Sequence, residues 1–153
     1  MNARFFHAAM LVVAYAVPAR AAEINATPLT LDRPAMVNNI EVVCTGIGRE
    51  VREDPRWNAY PLRVEIAGNQ GQLLGDVRVT LKRGEEALLS VICGGPWLLS
   101  KLPQGAYRVT AEIQGRVVNV NANVPATGQG RVIVRFPELG GAISPEYTPP
   151  TTP

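Results

Sequence analysis

The residues that could do chemistry are concentrated between Cys44 and Pro61, in the stretch CTGIGREVREDPRWNAYP. It holds a Gly-x-Gly, three arginines, three acids and a tryptophan, between two segments with strand patterns. One interpretation is an ion-pair network with the tryptophan folded down as an anchor. The other is a partner-binding patch, because Trp and Arg are enriched at interface hot spots. The candidate binding residues are Arg52, Asp54, Arg56, Trp57, Tyr60 and, from a later segment, Trp97.

The N-terminus predicts export. Arg4 precedes an apolar run over 5–17, and Ala19-Arg20-Ala21 matches the small-residue pattern before a signal-peptidase cut. The run is shorter than the roughly 20 residues of a membrane span, although an uncleaved anchor is the alternative. We expect a signal peptide over 1–21, one domain over 22–137 and a Pro-rich flexible tail over 138–153. The mature chain is expected to be periplasmic or secreted, without membrane insertion.

Loss of this segment changes the charge. The full chain has 15 basic and 13 acidic residues, and Arg4 and Arg20 leave with the signal, so the mature chain carries 13 of each. Nucleic acids and anionic membranes both attract proteins with a concentrated positive field. A neutral mature chain therefore argues against nucleic acid as a partner.

Catalytic motifs are weak in this sequence. The one histidine, His7, also leaves with the signal, which removes Ser-His and Cys-His nucleophiles and imidazole metal ligands. The Gly-x-Gly at 46–48 lacks the third glycine and the helix of a nucleotide fingerprint. Ser100 and Lys101 are adjacent on a predicted strand and so point to opposite faces. We expect no catalytic residues and no cofactor.

Two cysteines remain, Cys44 and Cys93. In an exported chain an even count favours a disulfide, and the alternative is a pair of buried free thiols. Two thiolates without histidine fall short of a four-ligand zinc site, so no metal is expected. A bridge would close a loop of about 50 residues and stabilise the fold by about 4 kcal/mol on the chain-entropy model. It would also bring the start of the charged stretch close to GGPW, so that Trp57 and Trp97 could share one surface.

The hydrophobic period is two over most of the chain, which is typical of strands with one buried face. Glycine or proline bounds most of these segments. We predict an all-β fold, an antiparallel sandwich of seven or eight strands of transthyretin-like or immunoglobulin-like type, with a barrel as the alternative and no convincing helix. The predicted strands are NNIEVVCTG, PLRVEIAG, GDVRVTLKRG, ALLSVICGG, PWLLSKL, GAYRVTAEIQG, VNVNANV and RVIVRFP, with a short edge strand around 28–31.

The stretch WLLSKLPQGAYRVTAEIQG carries a Leu-x-x-Gly-x-Tyr pattern. Together with GQLLGDVRVTL and VNVNANVPATGQGRVIVRFP, it resembles the carboxypeptidase regulatory-like domain, a transthyretin-like sandwich, over roughly 60–137. The chain is also similar to exported bacterial proteins that share DPRW and GPWLL and have no established activity. The resemblance implies binding, assembly or spacing rather than catalysis, and it implies that Tyr107 lies in the core. Transthyretin-like hydrolases depend on histidines that are missing here.

Three functions therefore compete. The first is a non-enzymatic exported module that binds or assembles with a protein partner in the cell envelope. The second is a binder of glycans or other small molecules, with sugars stacked on Trp57 or Trp97. The third is an enzyme that works through carboxylates and arginines alone, which would need two acids converging in one pocket.

Overall fold

The computed structural model describes residues 24–137, so the predicted signal peptide and tail lie outside the described residues. Within this range ten strands form a sandwich of two five-stranded sheets, which confirms the predicted fold class. The strands are β1 (Thr27–Pro28), β2 (Ala35–Val37), β3 (Ile40–Thr45), β4 (Leu62–Gly68), β5 (Val77–Arg83), β6 (Glu86–Cys93), β7 (Trp97–Ser100), β8 (Gly105–Ile113), β9 (Arg116–Val124) and β10 (Gly130–Phe136).

Sheet A has the strand order β1-β6-β5-β8-β9, and sheet B has the order β10-β4-β7-β3-β2. Most neighbours are antiparallel, as the alternating pattern predicted. An edge strand of each sheet is parallel to its neighbour: β1 runs with β6, and β10 runs with β4 over seven registered pairs. The strand β10 reaches the edge of sheet B after the chain crosses over from β9 in sheet A, so the parallel pair joins strands that are far apart in the sequence.

The core lies between the two sheets and is built from the apolar side of each alternating strand. Val64 and Ile66 on β4 face Val79 and Leu81 on β5, and all four are fully buried. Tyr107 joins this core at 4 % exposure, as the family resemblance implied. Its hydroxyl donates to the carbonyl oxygen of Pro103 at 2.7 Å, four residues upstream, and it accepts from Arg83 at 2.8 Å. The buried hydroxyl is therefore satisfied.

The disulfide predicted from the cysteine count is present. Cys44 and Cys93 are bonded, with their Cα atoms 5.4 Å apart. Cys44 lies on β3 of sheet B and Cys93 on β6 of sheet A, so the bridge joins the two layers of the sandwich. The amide of Gly95 donates to the Cys44 Sγ at 3.2 Å. The bridge therefore fixes the root of the charged stretch beside the turn that precedes Trp97.

Candidate functional site: an anchored charged loop

The connection from β3 to β4, residues 46–61, is here named the charged loop. The sequence showed no convincing helix, but this loop contains a four-residue α-helix, α1 (Arg49–Arg52), and a 3-10 helix over Pro55–Ala59. Such single turns are too short to produce a helical hydrophobic period, which explains why the sequence pattern missed them. The 3-10 helix begins with Asp54 as N-cap and Pro55 at the first position, two residue types that are favoured at these places.

The charged loop covers the outer face of sheet B. Val42 and Leu98 point into the core, so their chain neighbours Val43 and Leu99 point outward. Val43 and Leu99 are paired across β3 and β7 and are nevertheless fully buried. Trp57 and Tyr60 of the loop pack on them and form a second apolar cluster. The loop is therefore held by its own small core on the side of the sheet that faces away from the main core.

Trp57 is the anchor of the loop. Its side chain is 2 % exposed, and its Nε1 donates to the carbonyl oxygen of Val51 at 2.7 Å. The guanidinium of Arg56 lies 4.2 Å from the ring centroid and forms a 2.7 Å ion pair with Asp54. Asp54 also accepts from the Arg56 amide at 3.0 Å. Three of the predicted binding residues thus contact one another in an arrangement that matches the ion-pair interpretation.

Tyr60 fixes the other end of the loop. Its hydroxyl donates to Glu41 at 2.8 Å, and Lys101 forms an ion pair with the same carboxylate at 3.0 Å. Burial, with the bond to Glu41, raises the pKa of Tyr60 to about 12. The donors Tyr60 and Lys101 lower the pKa of Glu41. Ser100 is fully buried while Lys101 pairs with Glu41, so these two adjacent residues do point to opposite faces.

The loop is also held by hydrogen bonds from Gln129, a residue that is distant in the sequence. The side-chain amide of Gln129, in the β9–β10 connection, donates to the carbonyl oxygens of both Trp57 and Tyr60 at 2.8 Å. The amide of Gly130 then donates to the Pro61 carbonyl oxygen at 2.7 Å. Sequence reasoning missed Gln129, because an isolated glutamine in a loop carries no signal of its partners some 70 positions away.

Trp97 lies on the same outer face of sheet B, two positions from Leu99, and is 7 % exposed. The guanidinium of Arg63 lies 4.4 Å from its ring centroid. Arg63 in turn pairs with Glu65 at 3.0 Å, and Arg131 pairs with the same carboxylate at 2.7 Å. Trp57 and Trp97 therefore share one face of the sheet, as predicted, but their rings are buried beneath loop residues and arginines.

The geometry does not favour stacking of a sugar on either tryptophan, since arginines lie over both rings. The geometry also gives little support to a catalytic site built from two carboxylates. Asp76 and Glu112 line a shallow depression of about 190 Å³ together with Arg78. Arg78 lies directly opposite Glu112 in the β5–β8 register, and a cross-strand charge pair is the simpler role for these side chains.

A groove opens where the charged loop meets the disulfide end of the sandwich, and we name it the disulfide-end groove. Its volume is about 300 Å³. The side chains that line it are Ile47, Arg52, Leu73, Leu74 and Pro96, with four glycines supplying bare backbone. Ile47 is 53 % exposed and Leu73 44 % exposed. Arg52 is half-buried and donates to the Gly46 carbonyl oxygen at 3.0 Å.

The predicted site residues therefore divide into two groups. Arg52 borders the groove, whereas the other five contact one another or lie on the sheet: Asp54, Arg56, Trp57, Tyr60 and Trp97. Ile47 and Leu73 were not among the predicted residues. Ile47 lies between two glycines, whereas Leu73 forms an isolated bridge with Ala67, and neither context gave a signal in the sequence. Within residues 24–137, no group of three or more His, Cys, Asp or Glu side chains could hold a metal ion.

Comparisons with known proteins do not assign the chain to a family. No protein-family model matches the chain, and a search of curated proteins found no match. In the described part of the chain, no helix is both long enough and apolar enough to cross a bilayer.

Proposed function

We propose that this domain is a non-enzymatic binding module that is exported and meets a protein partner in the cell envelope through the Ile47 side of the charged loop. The observation that carries the proposal is the exposure of Ile47 on a loop that is otherwise anchored. A large apolar side chain exposed at a fixed position favours a partner, because the loop loses little conformational entropy on binding.

Three contacts support the rigidity of the loop. Its own Trp57 is buried against the outer face of sheet B, Tyr60 bonds to Glu41, and Gln129 binds the carbonyl groups of these same two loop residues. Loops positioned by a rigid scaffold are common recognition elements. The disulfide supports an oxidising compartment, in which such bridges persist. A periplasmic location and a kinship with carboxypeptidase regulatory-like domains belong to this same proposal.

Site-specific photocrosslinking in intact cells tests the proposal. A photoreactive benzoylphenylalanine replaces Ile47 in one variant and Ile133 in the control. Ile133 is 43 % exposed on β10, away from the groove. We expect a discrete crosslinked protein from position 47 that is missing from position 133. The same adducts at both positions, or none at position 47 in a folded and exported variant, would contradict the proposed interface.

A further inference from the structure

The disulfide-end groove combines apolar walls with a single charge. Ile47, Leu73, Leu74 and Pro96 supply the apolar surface, and of the residues over 24–137 Arg52 is the one ionisable side chain in its lining. A groove of this composition can hold an apolar side chain and an anionic group at the same time. It cannot neutralise two separate anions, because only one guanidinium borders it.

Arg52 differs from the other arginines of the charged loop. Arg49 pairs with Glu53 at 2.8 Å, and Arg56 pairs with Asp54 at 2.7 Å. Among residues 24–137, Arg52 has no carboxylate partner and uses Nη1 to bond the neutral carbonyl of Gly46. Guanidinium groups bind carboxylates with two parallel hydrogen bonds where geometry allows. The charge in the groove is therefore complementary to a carboxylate supplied from outside.

The walls of the groove are held by tight backbone contacts. A Cβ atom at Gly75 would lie 2.1 Å from the Gly94 carbonyl oxygen, and one at Gly46 would lie 2.8 Å from the Trp97 ring. Cys93 precedes Gly94 in the chain and is bonded to Cys44, two residues before Gly46. These contacts restrict the backbone on which the groove is built, which favours a preformed site.

We infer that the disulfide-end groove binds the C-terminal end of a polypeptide whose last residue is apolar. The terminal carboxylate pairs with Arg52, and the last side chain packs against Ile47 and Leu73. A terminal residue fits this composition because it carries a carboxylate and its own side chain on one Cα, whereas an internal Asp or Glu places no apolar group there. This inference rests on the proposed function and specifies the partner feature that is recognised.

Titration of the ¹⁵N-labelled domain followed by NMR tests this inference. The probes are acetyl-Ala-Leu with a free carboxylate, acetyl-Ala-Leu-amide, and acetyl-Ala-Asp-amide, whose carboxylate is on a side chain. We expect saturable shifts of the Ile47, Gly48 and Gly94 amides with the first probe, and binding at least about tenfold weaker with the other two. Equal binding of the free acid and the amide would overturn the inference, as would tighter binding of the Asp probe.

Two charge variants sharpen this test. Arg52→Gln should weaken the free acid about tenfold or more, whereas Arg49→Gln on the same helix, which does not line the groove, should leave its affinity unchanged. Equal effects of both variants would contradict a specific role for Arg52. Ile47 crosslinking to a partner without any probe binding would refute the terminal-carboxylate inference alone. Probe binding without a crosslinked partner would instead count against the proposed function.

Discussion

The hydroxyl of Tyr60 donates a 2.8 Å hydrogen bond to the Oε1 of Glu41, which ties the end of the charged loop to the strand that precedes it. Lys101 reaches the same carboxylate from β7's end. One acid therefore serves two donors, and both ionisable partners of the bond have shifted pKa values in opposite directions.

Replacement of this tyrosine, Tyr60→Phe, should lower the free energy of unfolding at pH 7 by about 1–2 kcal/mol, because a hydrogen bond to a charged group is lost. In the folded wild type the pKa of Tyr60 is about 12, above its ordinary value of 10. Its contribution is therefore complete below pH 10 and is lost as the pH rises from 10 to about 12.

Urea unfolding of wild type and Tyr60→Phe across pH 7–12 measures this difference. The two stability curves should converge above pH 10, since the variant has no phenol to ionise. Other groups that titrate in this range are common to both proteins and cancel. Curves that stay parallel up to pH 12 would contradict the raised pKa.

Alanine substitutions at two glycines of the charged loop allow the cost of backbone strain to be distinguished from the cost of steric overlap. Gly46 has φ +98° and Gly48 has φ +92°, so alanine is strained at both. An alanine Cβ at Gly46 would also lie 2.8 Å from the Trp97 ring, whereas at Gly48 nothing lies within 4 Å. We expect Gly48→Ala to cost about 1–2 kcal/mol and Gly46→Ala at least about 1 kcal/mol more.

Thermal and urea unfolding of the two alanine variants provides the comparison. The emission of the two tryptophans should also change in Gly46→Ala and stay constant in Gly48→Ala, because only the first substitution presses on the Trp97 ring. Equal free energies of unfolding of the two variants would show that the Trp97 ring moves away from a Cβ atom at position 46 without loss of stability, which would contradict the prediction.

Removal of the donors on Gln129 should release the charged loop without unfolding the sandwich. Gln129→Glu keeps the shape of the side chain but has no N–H to donate to the carbonyl oxygens of Trp57 and Tyr60. We expect a loss of about 1–3 kcal/mol, because the Tyr60 carbonyl loses its side-chain donor and the Trp57 carbonyl keeps only the 3.3 Å bond from the Tyr60 amide. Hydrogen exchange of the amides over residues 51–60 should become faster, while that of β5 and β8 should not change.

Gln70→Glu is the matched control for this substitution, because Gln70 lies in the exposed β4–β5 turn. It introduces the same negative charge without touching the loop. Equally fast loop exchange in both variants would mean that charge, rather than the lost hydrogen bonds, causes the effect.

The disulfide should supply a large share of the stability. Cys44→Ala/Cys93→Ala should reduce the free energy of unfolding by about 4 kcal/mol, because the bridge spans 49 positions in the sequence. The double variant avoids leaving a reactive single thiol. Urea unfolding at neutral pH gives the value, and a loss below about 1 kcal/mol would contradict the expected constraint.

The strands were predictable because the alternation of apolar and polar residues within each segment is enough to identify it as a strand. The spacing of Val77, Val79 and Leu81 indicates one buried face, and no other segment is needed to recognise it. The cysteine pairing was predictable for a similar reason, since two cysteines allow one intramolecular bridge. The two short N-terminal strands were harder, because two or three residues hold too little pattern to set a register.

The loop was not predictable in the same way. Whether Trp57 is buried depends on Val43 and Leu99, which point away from the core and look like ordinary core residues in the sequence. The partners of Tyr60 and of the loop carbonyls, Glu41 and Gln129, come from other parts of the chain. Composition alone therefore identified a charged loop but could not decide which of its side chains hold it in place and which remain exposed.

The bond between Cys44 and Cys93 also makes the intervening chain a covalent ring. The charged loop, β4, β5 and the exposed turn that carries Leu73 all lie inside that ring. A protease that cuts once in an exposed part of this ring, in the charged loop or in the β4–β5 connection, produces a new pair of ends but not two separable pieces. The nicked domain stays one molecule, with the strands on both sides of the cut still paired in their sheets, until the bridge is reduced.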